Sequence, residues 1–293
     1  MRHPFFGTIP PCWEYADTGK EVDAMPDNIV VLGEDRRQYW VAKHLAAAGH
    51  CVSTFGVTGL EDTRLTLAWT AADAQVAVLP MPAADSSGNI RLSCGRTLDC
   101  RLLPVLLPPG IRLFGGLLPD CLPGTDYALS DAVTTANAIP TAEGAIGKAM
   151  ELLPITIWNS RCLIIGFGRI GKVLAHRLHA MGAKVTVAAR RAGDLVMITG
   201  LGCESDITGE YRNGLLQYDC IFNTVPAMVL PEAQLQQTRP DCLIIDLASR
   251  PGGIDFAACA ELPRQAVHAL SLPGQVAPAT AGKIISNYIL EQL

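Results

Sequence analysis

The sequence has few charged residues and no excess of positive charge. Charged side chains make up 17% of its 293 positions, and the formal net charge is −5. Binding to a nucleic-acid backbone needs clustered lysine and arginine, so nucleic acid is excluded as a partner. No apolar run approaches the roughly 20 residues that cross a bilayer, and the first residues lack a signal-peptide pattern. We therefore expect a cytoplasmic protein with no membrane partner.

No two of the ten cysteines have the C-x-x-C spacing that is typical of zinc ribbons and redox motifs. Several lie in apolar, strand-like segments, for example Cys162, Cys220 and Cys242. We expect free thiols in a reducing compartment and no metal site. Apolar residues make up 49% of the chain, which is typical of a protein with buried parallel strands.

Short apolar runs alternate with amphipathic segments of helical length along most of the chain, and this alternation indicates βαβ units. The sequence predicts an α/β protein with two Rossmann-like domains, in which parallel sheets are flanked by helices and a long helix connects the domains. The predicted units are an irregular N-terminal extension over 1–28, an N-terminal α/β substrate or partner domain over 29–136, an NAD(P)-binding Rossmann domain over 137–275 that is entered by a linker helix over 137–153, and a C-terminal helix over 276–293 that returns to the first domain.

Local signals place several elements more closely. Asn137 is predicted to cap the linker helix, with Pro140 in its first turn. A further helix is predicted over 61–72 and a short strand over 128–129. Residues 80–110 are rich in Pro, Gly and Ser, so we expect loops there.

A glycine-rich turn, G-x-G-x-x-G, directly follows the predicted strand 161–165 and opens a helix. In a dinucleotide-binding turn the first glycine permits the tight bend, the second lets the backbone approach the pyrophosphate, and the third lets helix and strand pack closely. The helix N-terminus then offers free N–H groups to the phosphates. The predicted cofactor residues of the turn are Gly166, Phe167, Gly168, Arg169, Ile170 and Gly171.

Arginine stands where NAD-binding enzymes usually have an acidic residue for the ribose 2′-hydroxyl. The second strand of this domain ends in Ala188-Ala189-Arg190-Arg191, without a carboxylate. Arginine suits the geometry of phosphate, so Arg190 and Arg191 favour NADP over NAD. The alternative is that both arginines are the solvated start of a helix.

Two further loops follow predicted strands and are expected at the same edge of the sheet, where ligands bind in open α/β folds. Asn223, Thr224, Val225 and Pro226 follow one strand and are predicted to lie beside the ribose on the nicotinamide side. Ala248 and Ser249 follow the next strand and complete the predicted cofactor set.

Five ordered motifs carry a family resemblance. They are Gly-Glu-Asp-Arg-Arg-Gln at 33–38, Asn-Ala-Ile-Pro-Thr-Ala-Glu-Gly at 137–144, Ile-Phe-Asn-Thr-Val-Pro-Ala-Met-Val at 221–229, Asp-Leu-Ala-Ser-Arg-Pro-Gly-Gly-Ile-Asp-Phe at 246–256 and Leu-Pro-Gly-Gln-Val-Ala-Pro-Ala-Thr-Ala-Gly at 272–282. Over about residues 29–293 the chain resembles the family formed by the A subunits of dipicolinate synthase from spore-forming bacteria. Its second domain is also similar to the cofactor domains of alanine dehydrogenases and 2-hydroxyacid dehydrogenases.

The resemblance implies a reaction and a partner. Members of the family make dipicolinate during sporulation, from a dihydrodipicolinate or hydroxytetrahydrodipicolinate precursor. Dehydrogenation would transfer a hydride to NADP⁺ and aromatise the ring. The family pairs with a flavoprotein-like protein, the B subunit of dipicolinate synthase, so we expect an oligomer. The extension over 1–28 and Glu34 depart from the family pattern, which puts the N-terminal boundary in doubt.

A small dicarboxylate substrate needs two cationic contacts, and Arg37 and Arg250 follow strands at the expected crevice. A surface charge is the alternative for Arg37. Loss of the proton needs an acceptor, for which Glu143 and Asp246 are candidates, with Thr141 as a hydrogen-bonding partner. The alternative role for Glu143 is capping of its helix. The alternative roles for Asp246 are binding of the cofactor ribose and organisation of its loop. His268 is favoured as a core or loop residue over a base.

Two other functions stay open. One is a dehydrogenase of another small 2-oxo, 2-hydroxy or amino acid, which would need a clear pair of base and carboxylate. The other is a non-catalytic NADP-binding partner that works only with a flavoprotein.

Overall fold

The structure is a computed structural model that describes residues 27–60 and 71–293. The strands of its first half are β1 (Asn28–Leu32), β2 (Cys51–Phe55), β3 (Val76–Val78), β4 (Asn89–Arg91), β5 (Thr97–Asp99), β6 (Arg112–Gly115) and β7 (Thr125–Asp126). Five of them form a parallel sheet in the order β2-β1-β3-β6-β7, whereas β4 and β5 form a separate antiparallel pair.

The second sheet has six parallel strands: β8 (Arg161–Ile165), β9 (Lys184–Ala189), β10 (Glu204–Ile207), β11 (Cys220–Asn223), β12 (Leu243–Asp246) and β13 (Gln265–His268). Their spatial order is β10-β9-β8-β11-β12-β13. This is the doubly wound order in which the first strand lies centrally and the chain reverses direction beside it, which opens a crevice between β8 and β11.

The helices cover the faces of the two sheets. They are α1 (Arg36–Ala47), α2 (Leu103–Leu106), α3 (Asp131–Leu152), α4 (Arg169–Ala180), α5 (Ala192–Gly200), α6 (Glu232–Leu235), α7 (Phe256–Glu261), α8 (Leu272–Val276) and α9 (Pro278–Leu290). Short 3-10 turns lie at Ser93–Gly95, Cys100–Leu102 and Tyr127–Leu129. Within the described residues, no helix is both long and apolar enough to span a bilayer.

Each sheet is buried on both faces, as expected for parallel strands. In β8, Cys162 and Ile164 belong to one hydrophobic cluster, whereas Leu163 and Ile165 belong to the cluster on the opposite face. The last helix, α9, packs on the first domain, where Ile285 and Ile289 join the cluster that contains residues of β1. The predicted fold class, α/β with two parallel sheets and a long helix between them, is confirmed.

The long helix begins six residues earlier than predicted. Ser130 is its N-cap and accepts a hydrogen bond from the Val133 amide at 3.4 Å, whereas Asn137 lies in the second turn. Pro140 is therefore inside the helix and not in its first turn. The helix tolerates this proline because small buried residues along one face, including Ala138, Ala142 and Ala145, hold it against its neighbours.

Two other local predictions were wrong. The strand predicted over 128–129 is part of a 3-10 turn, because the Asp126 carboxylate accepts a hydrogen bond from the Ala128 amide at 2.8 Å and caps the turn. The loop-rich stretch 80–110 contains the β4–β5 pair and α2. The helix predicted over 61–72 falls mainly on residues 61–70, which are outside the described residues, as are residues 1–26 of the predicted extension.

Candidate active site

A cavity of about 920 Å³ lies between the two domains. Its walls come from loops at the carboxyl ends of β1, β3, β6, β8, β11, β12 and β13, together with one side of α3. Parallel strands bring these loops to the same edge of each sheet, so the two edges face each other across the cavity. The lining residues are Arg37, Met81, Pro82, Leu117, Ala128, Thr134, Asn137, Ala138, Thr141, Gly168, Arg169, Ile170, Thr224, Pro226, Leu247, Ala248, Ser249, Arg250, Ala269, Leu270, Ser271, Leu272 and Pro273.

The glycine turn forms one wall of the cavity. Gly166 has a φ of +102°, which side-chain-bearing residues rarely adopt, and a Cβ there would collide with the Thr224 hydroxyl. A Cβ on Gly171 would collide with the carbonyl oxygen of Gly166, so this glycine lets α4 pack against the end of β8. Gly168 has nothing within 4 Å of its Cβ position and faces the cavity. The open space lies where a phosphate would approach the backbone.

The N-terminus of α4 meets the cavity without a side-chain cap. Gly168 is its N-cap residue and offers no side-chain hydrogen bond to the first amides. Free amides and the positive end of the helix dipole are the features that bind phosphate. The Arg169 side chain turns away to α3, where it pairs with Asp131 and donates from Nε to the Thr135 hydroxyl at 3.1 Å. Phe167 is buried in the core, with the Lys172 ammonium 5.3 Å from its ring centre.

Arg190 and Arg191 lie directly after β9, the strand beside β8. Both are exposed, and within the described part of the chain neither side chain makes a hydrogen bond or an ion pair. They are not part of the mapped cavity wall. Both guanidinium groups are therefore available to an anion at this edge of the sheet.

The loops after β11 and β12 are held together by a fully buried pair, Asn223 and Asp246. The Asn223 amide donates to Asp246 Oδ1 at 2.8 Å, and its own oxygen accepts from the Val225 amide at 2.9 Å. Asp246 also accepts from the amides of Ala248, at 3.0 Å, and Gly253, at 2.8 Å. These bonds fix the backbone that presents Thr224, Pro226, Ala248 and Ser249 to the cavity.

Asp246 is consequently not placed as a proton acceptor. Its carboxylate has no exposed surface, and both oxygens accept hydrogen bonds from the loops. Of the roles considered from the sequence, the geometry agrees with a loop organiser. His268 supports the same loop: its Nε2 donates to the Ala248 carbonyl at 2.8 Å, and its ring stacks on Phe256 with ring centres 5.5 Å apart.

Glu143, the other candidate proton acceptor, lies away from the cavity. It is exposed on α3, forms an ion pair with Arg177 of α4 at 2.9 Å and does not line the cavity. Helical geometry accounts for this position, because Glu143 lies two residues from Thr141 and so points to a different side of α3. Thr141 does line the cavity, although its hydroxyl donates to the Asn137 carbonyl at 2.6 Å.

The two arginines predicted as substrate contacts line the same cavity from different domains. Arg37 is only 4% exposed, and its Nε donates to Asp35 Oδ1 at 2.9 Å while its Nη2 contacts Asp35 and the Met81 carbonyl. Burial lowers the pKa of Arg37, but the hydrogen bond and charge of Asp35 outweigh it and leave the pKa above its ordinary value. The alternative of a surface charge is therefore wrong for Arg37.

Arg250 differs from Arg37 in being exposed. Within the described residues its side chain has no hydrogen bond or ion pair. Its charge therefore remains available to a ligand in the cavity.

Asn137 is a cavity residue whose role the sequence did not reveal. Its Oδ1 is buried and has no hydrogen-bond partner, and a buried acceptor without a donor is costly. The available signal was spacing: Thr134, Asn137 and Thr141 are polar and lie three and four residues apart, which places all three on one side of α3. The interpretation of Asn137 as a helix cap concealed this pattern.

Comparison with known proteins supports the family resemblance. Residues 134–262 match the model of the NAD-binding domain of D-isomer specific 2-hydroxyacid dehydrogenases. Over 163 residues, which are 56% of this chain, the sequence is 39% identical to the A subunit of dipicolinate synthase from Bacillus subtilis (strain 168). This match spans 55% of the length of that curated relative.

Solved structures extend the similarity to most of the chain. The structure of the dipicolinate synthase A subunit from Bacillus halodurans is 26% identical, with a TM-score of 0.81 over 91% of this chain and 97% of that one. The corresponding chain of dipicolinate synthase from Bacillus subtilis is 28% identical, with a TM-score of 0.79 over 92% of this chain and 96% of that one. The resemblance inferred from the five motifs is confirmed, and the second domain is similar to the nicotinamide-nucleotide-binding domains of dehydrogenases.

Proposed function

We propose that this chain is an NADP-dependent oxidoreductase that dehydrogenates dihydrodipicolinate to dipicolinate, or acts on a hydroxytetrahydrodipicolinate precursor that also loses water. The observation that carries the proposal is the cavity that joins the glycine turn of one domain to arginines from both domains. A small dianion bound between Arg37 and Arg250 would lie in the same space as the reactive end of a dinucleotide whose phosphates rest on the turn at Gly168.

The residues present suit a dinucleotide. The open space at Gly168 and the uncapped helix start accommodate a pyrophosphate, and the rigid loops 223–226 and 246–253 border the same cavity. When bound, NADP⁺ supplies a hydride acceptor. Arg190 and Arg191 directly follow β9 and are exposed, and neither position carries a carboxylate; both facts support contact with a 2′-phosphate and hence NADP.

Within the described residues the cavity wall contains three arginines and no carboxylate or imidazole side chain. Arg37 and Arg169 are paired with Asp35 and Asp131, so Arg250 is the wall arginine whose charge is free for an anion, and the wall offers no general base. Loss of a hydride and a proton from a dihydropyridine forms an aromatic ring, so we infer that the proton passes to water and that the chain's main task is orientation. Arg37 and Arg250 hold the two carboxylates, and Asn137 supplies an amide for the ring nitrogen or hydroxyl between them.

The absence of an acidic or imidazole group from the described wall also weighs against the first alternative. A 2-hydroxyacid dehydrogenase needs a base at the hydroxyl it oxidises. The second alternative, a nucleotide-binding partner that is silent without the flavoprotein-like B subunit, differs from our proposal only in what the isolated chain catalyses. An assay of the chain with and without that flavoprotein-like protein therefore separates the two.

The first experiment is calorimetric titration of the purified chain with NADP⁺ and with NAD⁺. We expect at least about tenfold tighter binding of NADP⁺, since each charge-assisted contact contributes roughly 1.5–3 kcal/mol. The double variant Arg190→Ala/Arg191→Ala should lose this preference while its binding of NAD⁺ changes little. Lys184→Ala, at the opposite end of the same strand, is the matched control and should bind both nucleotides as the unmodified chain does.

Turnover is then followed as NADPH formation from dihydrodipicolinate, with and without the flavoprotein-like protein. Arg37→Gln and Arg250→Gln should each raise KM for the substrate while nucleotide affinity is retained. Binding of neither nucleotide would overturn the proposal. Nucleotide binding with turnover of 2-hydroxy acids and not of dihydrodipicolinate would favour the first alternative.

A further inference from the structure

Two cysteines of the first domain lie beside each other outside the cavity. The sulfur atoms of Cys100 and Cys121 are 3.7 Å apart, although the residues are 21 positions apart in sequence. A disulfide bond requires about 2.0 Å between the sulfurs. Side-chain rotation and a small shift of one loop would close this gap, so the pair is near bonding geometry while both thiols are free.

The two thiols differ in access. Cys121 is exposed, in the loop between β6 and β7, whereas Cys100 is 1% exposed and begins the 3-10 turn that leads into α2. Its backbone amide is fixed by a hydrogen bond to the Gly88 carbonyl at 2.9 Å. Burial, followed by the neighbouring Cys121, raises the pKa of the Cys100 thiol. An external reagent can therefore reach the exposed Cys121 thiol before the buried Cys100 thiol.

The loop that carries Cys121 also forms part of the cavity wall. Leu117, four residues earlier, lines the cavity on the side of the first domain. Its amide and that of Leu118 both donate to the Asp126 carboxylate at 3.0 Å, which fixes the start of the loop. A covalent link at Cys121 would tie this loop to the segment before α2.

We propose that Cys100 and Cys121 form a dithiol site that reacts with low-molecular-weight disulfides. The Cys121 thiolate attacks one sulfur of the small disulfide, which forms a mixed disulfide at Cys121 and releases one small thiol. The Cys100 thiolate then attacks the Cys121 sulfur, forms the Cys100–Cys121 bond and releases the second small thiol. The two protein thiols are oxidised, one small disulfide is reduced to two thiols, and each protein thiol first gives its proton to solvent.

This site does not depend on the proposed function, because its chemistry uses no nucleotide and no dicarboxylate. Its consequence for the cavity is limited to the wall near Leu117, on the first domain. Binding of a nucleotide to the second domain should therefore be the same in the reduced and oxidised chains.

The test is incubation of the full chain with oxidised glutathione, followed by thiol counting under denaturing conditions and mass mapping of peptides. We expect Cys100 to be linked to Cys121 with no glutathione retained at either, and the thiol count to fall by these two in addition to any exposed thiol, such as Cys51, that retains glutathione. The reaction should quicken as pH rises, because the raised pKa of Cys100 limits the second step. Dithiothreitol should restore both thiols.

Variants separate the two steps. Cys100→Ser should accumulate glutathione on Cys121, and Cys100→Ala repeats the test if the serine is not tolerated in the buried position. Cys121→Ser should leave Cys100 largely unmodified. Cys51→Ser, which removes an exposed cysteine elsewhere in the first domain, is the control and should still form the bond. Stable glutathione on Cys121 of the unmodified chain, or a Cys100 that stays free, would overturn the proposal.

Discussion

Gly166, Gly168 and Gly171 lie within six residues of one another, yet each is a glycine for a different physical reason. The first has a positive φ, the third touches backbone, and the second faces open space. A sequence motif records only that all three are glycines. The geometry assigns the stability cost of substitution to Gly166 and Gly171 and leaves Gly168 free for a ligand.

A pair of alanine variants tests this assignment. Gly171→Ala should lower the free energy of unfolding by at least about 2 kcal/mol, because its Cβ meets the Gly166 carbonyl and α4 must move from β8. Gly168→Ala should lower stability by no more than about 1 kcal/mol, because alanine is a poor helix N-cap, and still weaken nucleotide binding, since the new methyl group occupies the space of the phosphate. Denaturant unfolding and calorimetry measure the two effects. Equal losses of stability in both variants would contradict the assignment.

The acidic residues Glu143 and Asp246 differ from these glycines in how far their roles can be predicted from the neighbouring sequence. The role of a glycine turn follows from its immediate neighbours in sequence. The contacts of Glu143 and Asp246 involve residues far away in the sequence, namely Arg177 for Glu143 and the side-chain amide of Asn223 for Asp246. The position of the turn could therefore be predicted from the sequence, whereas the contacts of the two acidic residues could not.

At the scale of helices and strands, close backbone approach explains how the last helix joins the first domain. A Cβ on Gly282 of α9 would lie 2.6 Å from Trp40 Cβ and 2.9 Å from the Arg37 carbonyl of α1. The two helices pack through this glycine, and Arg37 extends from the same segment of α1 into the cavity. The position of α9 thus supports one wall of the site.

Replacing either of two helical glycines with alanine should change the free energy of unfolding, in opposite directions for the two positions. Gly282→Ala should destabilise the chain by about 1–3 kcal/mol, because α9 must move away from α1. Gly147, inside α3, has nothing within 4 Å of its Cβ position, so Gly147→Ala should stabilise the chain by up to about 1 kcal/mol through helix propensity. Thermal and denaturant unfolding of the two variants give the comparison. A stabilising Gly282→Ala would show that the helices are not in close contact there.

At the scale of the whole molecule, two parallel sheets present their carboxyl ends to one shared cavity. Arg36 of α1 donates to the Gln275 carbonyl of α8 at 3.0 Å, so direct bonds also link the first domain to the segment before α9. The nucleotide is expected on one side of this cavity and the dicarboxylate across it. Each ligand should therefore slow amide hydrogen exchange in a different part of the backbone.

Amide hydrogen exchange, measured with and without each ligand, tests this arrangement. Saturating NADP⁺ should slow exchange at the glycine turn, 166–171, and in the loops 223–226 and 246–250. An NADP⁺ concentration of about 100 times its Kd should also raise the free energy of unfolding by roughly 2.7 kcal/mol. Dipicolinate should instead protect the start of α1 and the neighbourhood of Arg250. Protection by NADP⁺ confined to the first domain would contradict this arrangement.

The sequence alone determined the α/β class, the six-residue turn and the family resemblance, because these depend on local periodicity, glycine spacing and contiguous motifs. It misplaced the start of α3, since Ser130 and Asn137 are both acceptable caps and only packing against both domains selects the first. The tertiary structure alone decided that Glu143 meets Arg177, that Asp246 is enclosed and that Cys100 meets Cys121. Each of these depends on residues that are far apart in the chain and are brought together only by folding.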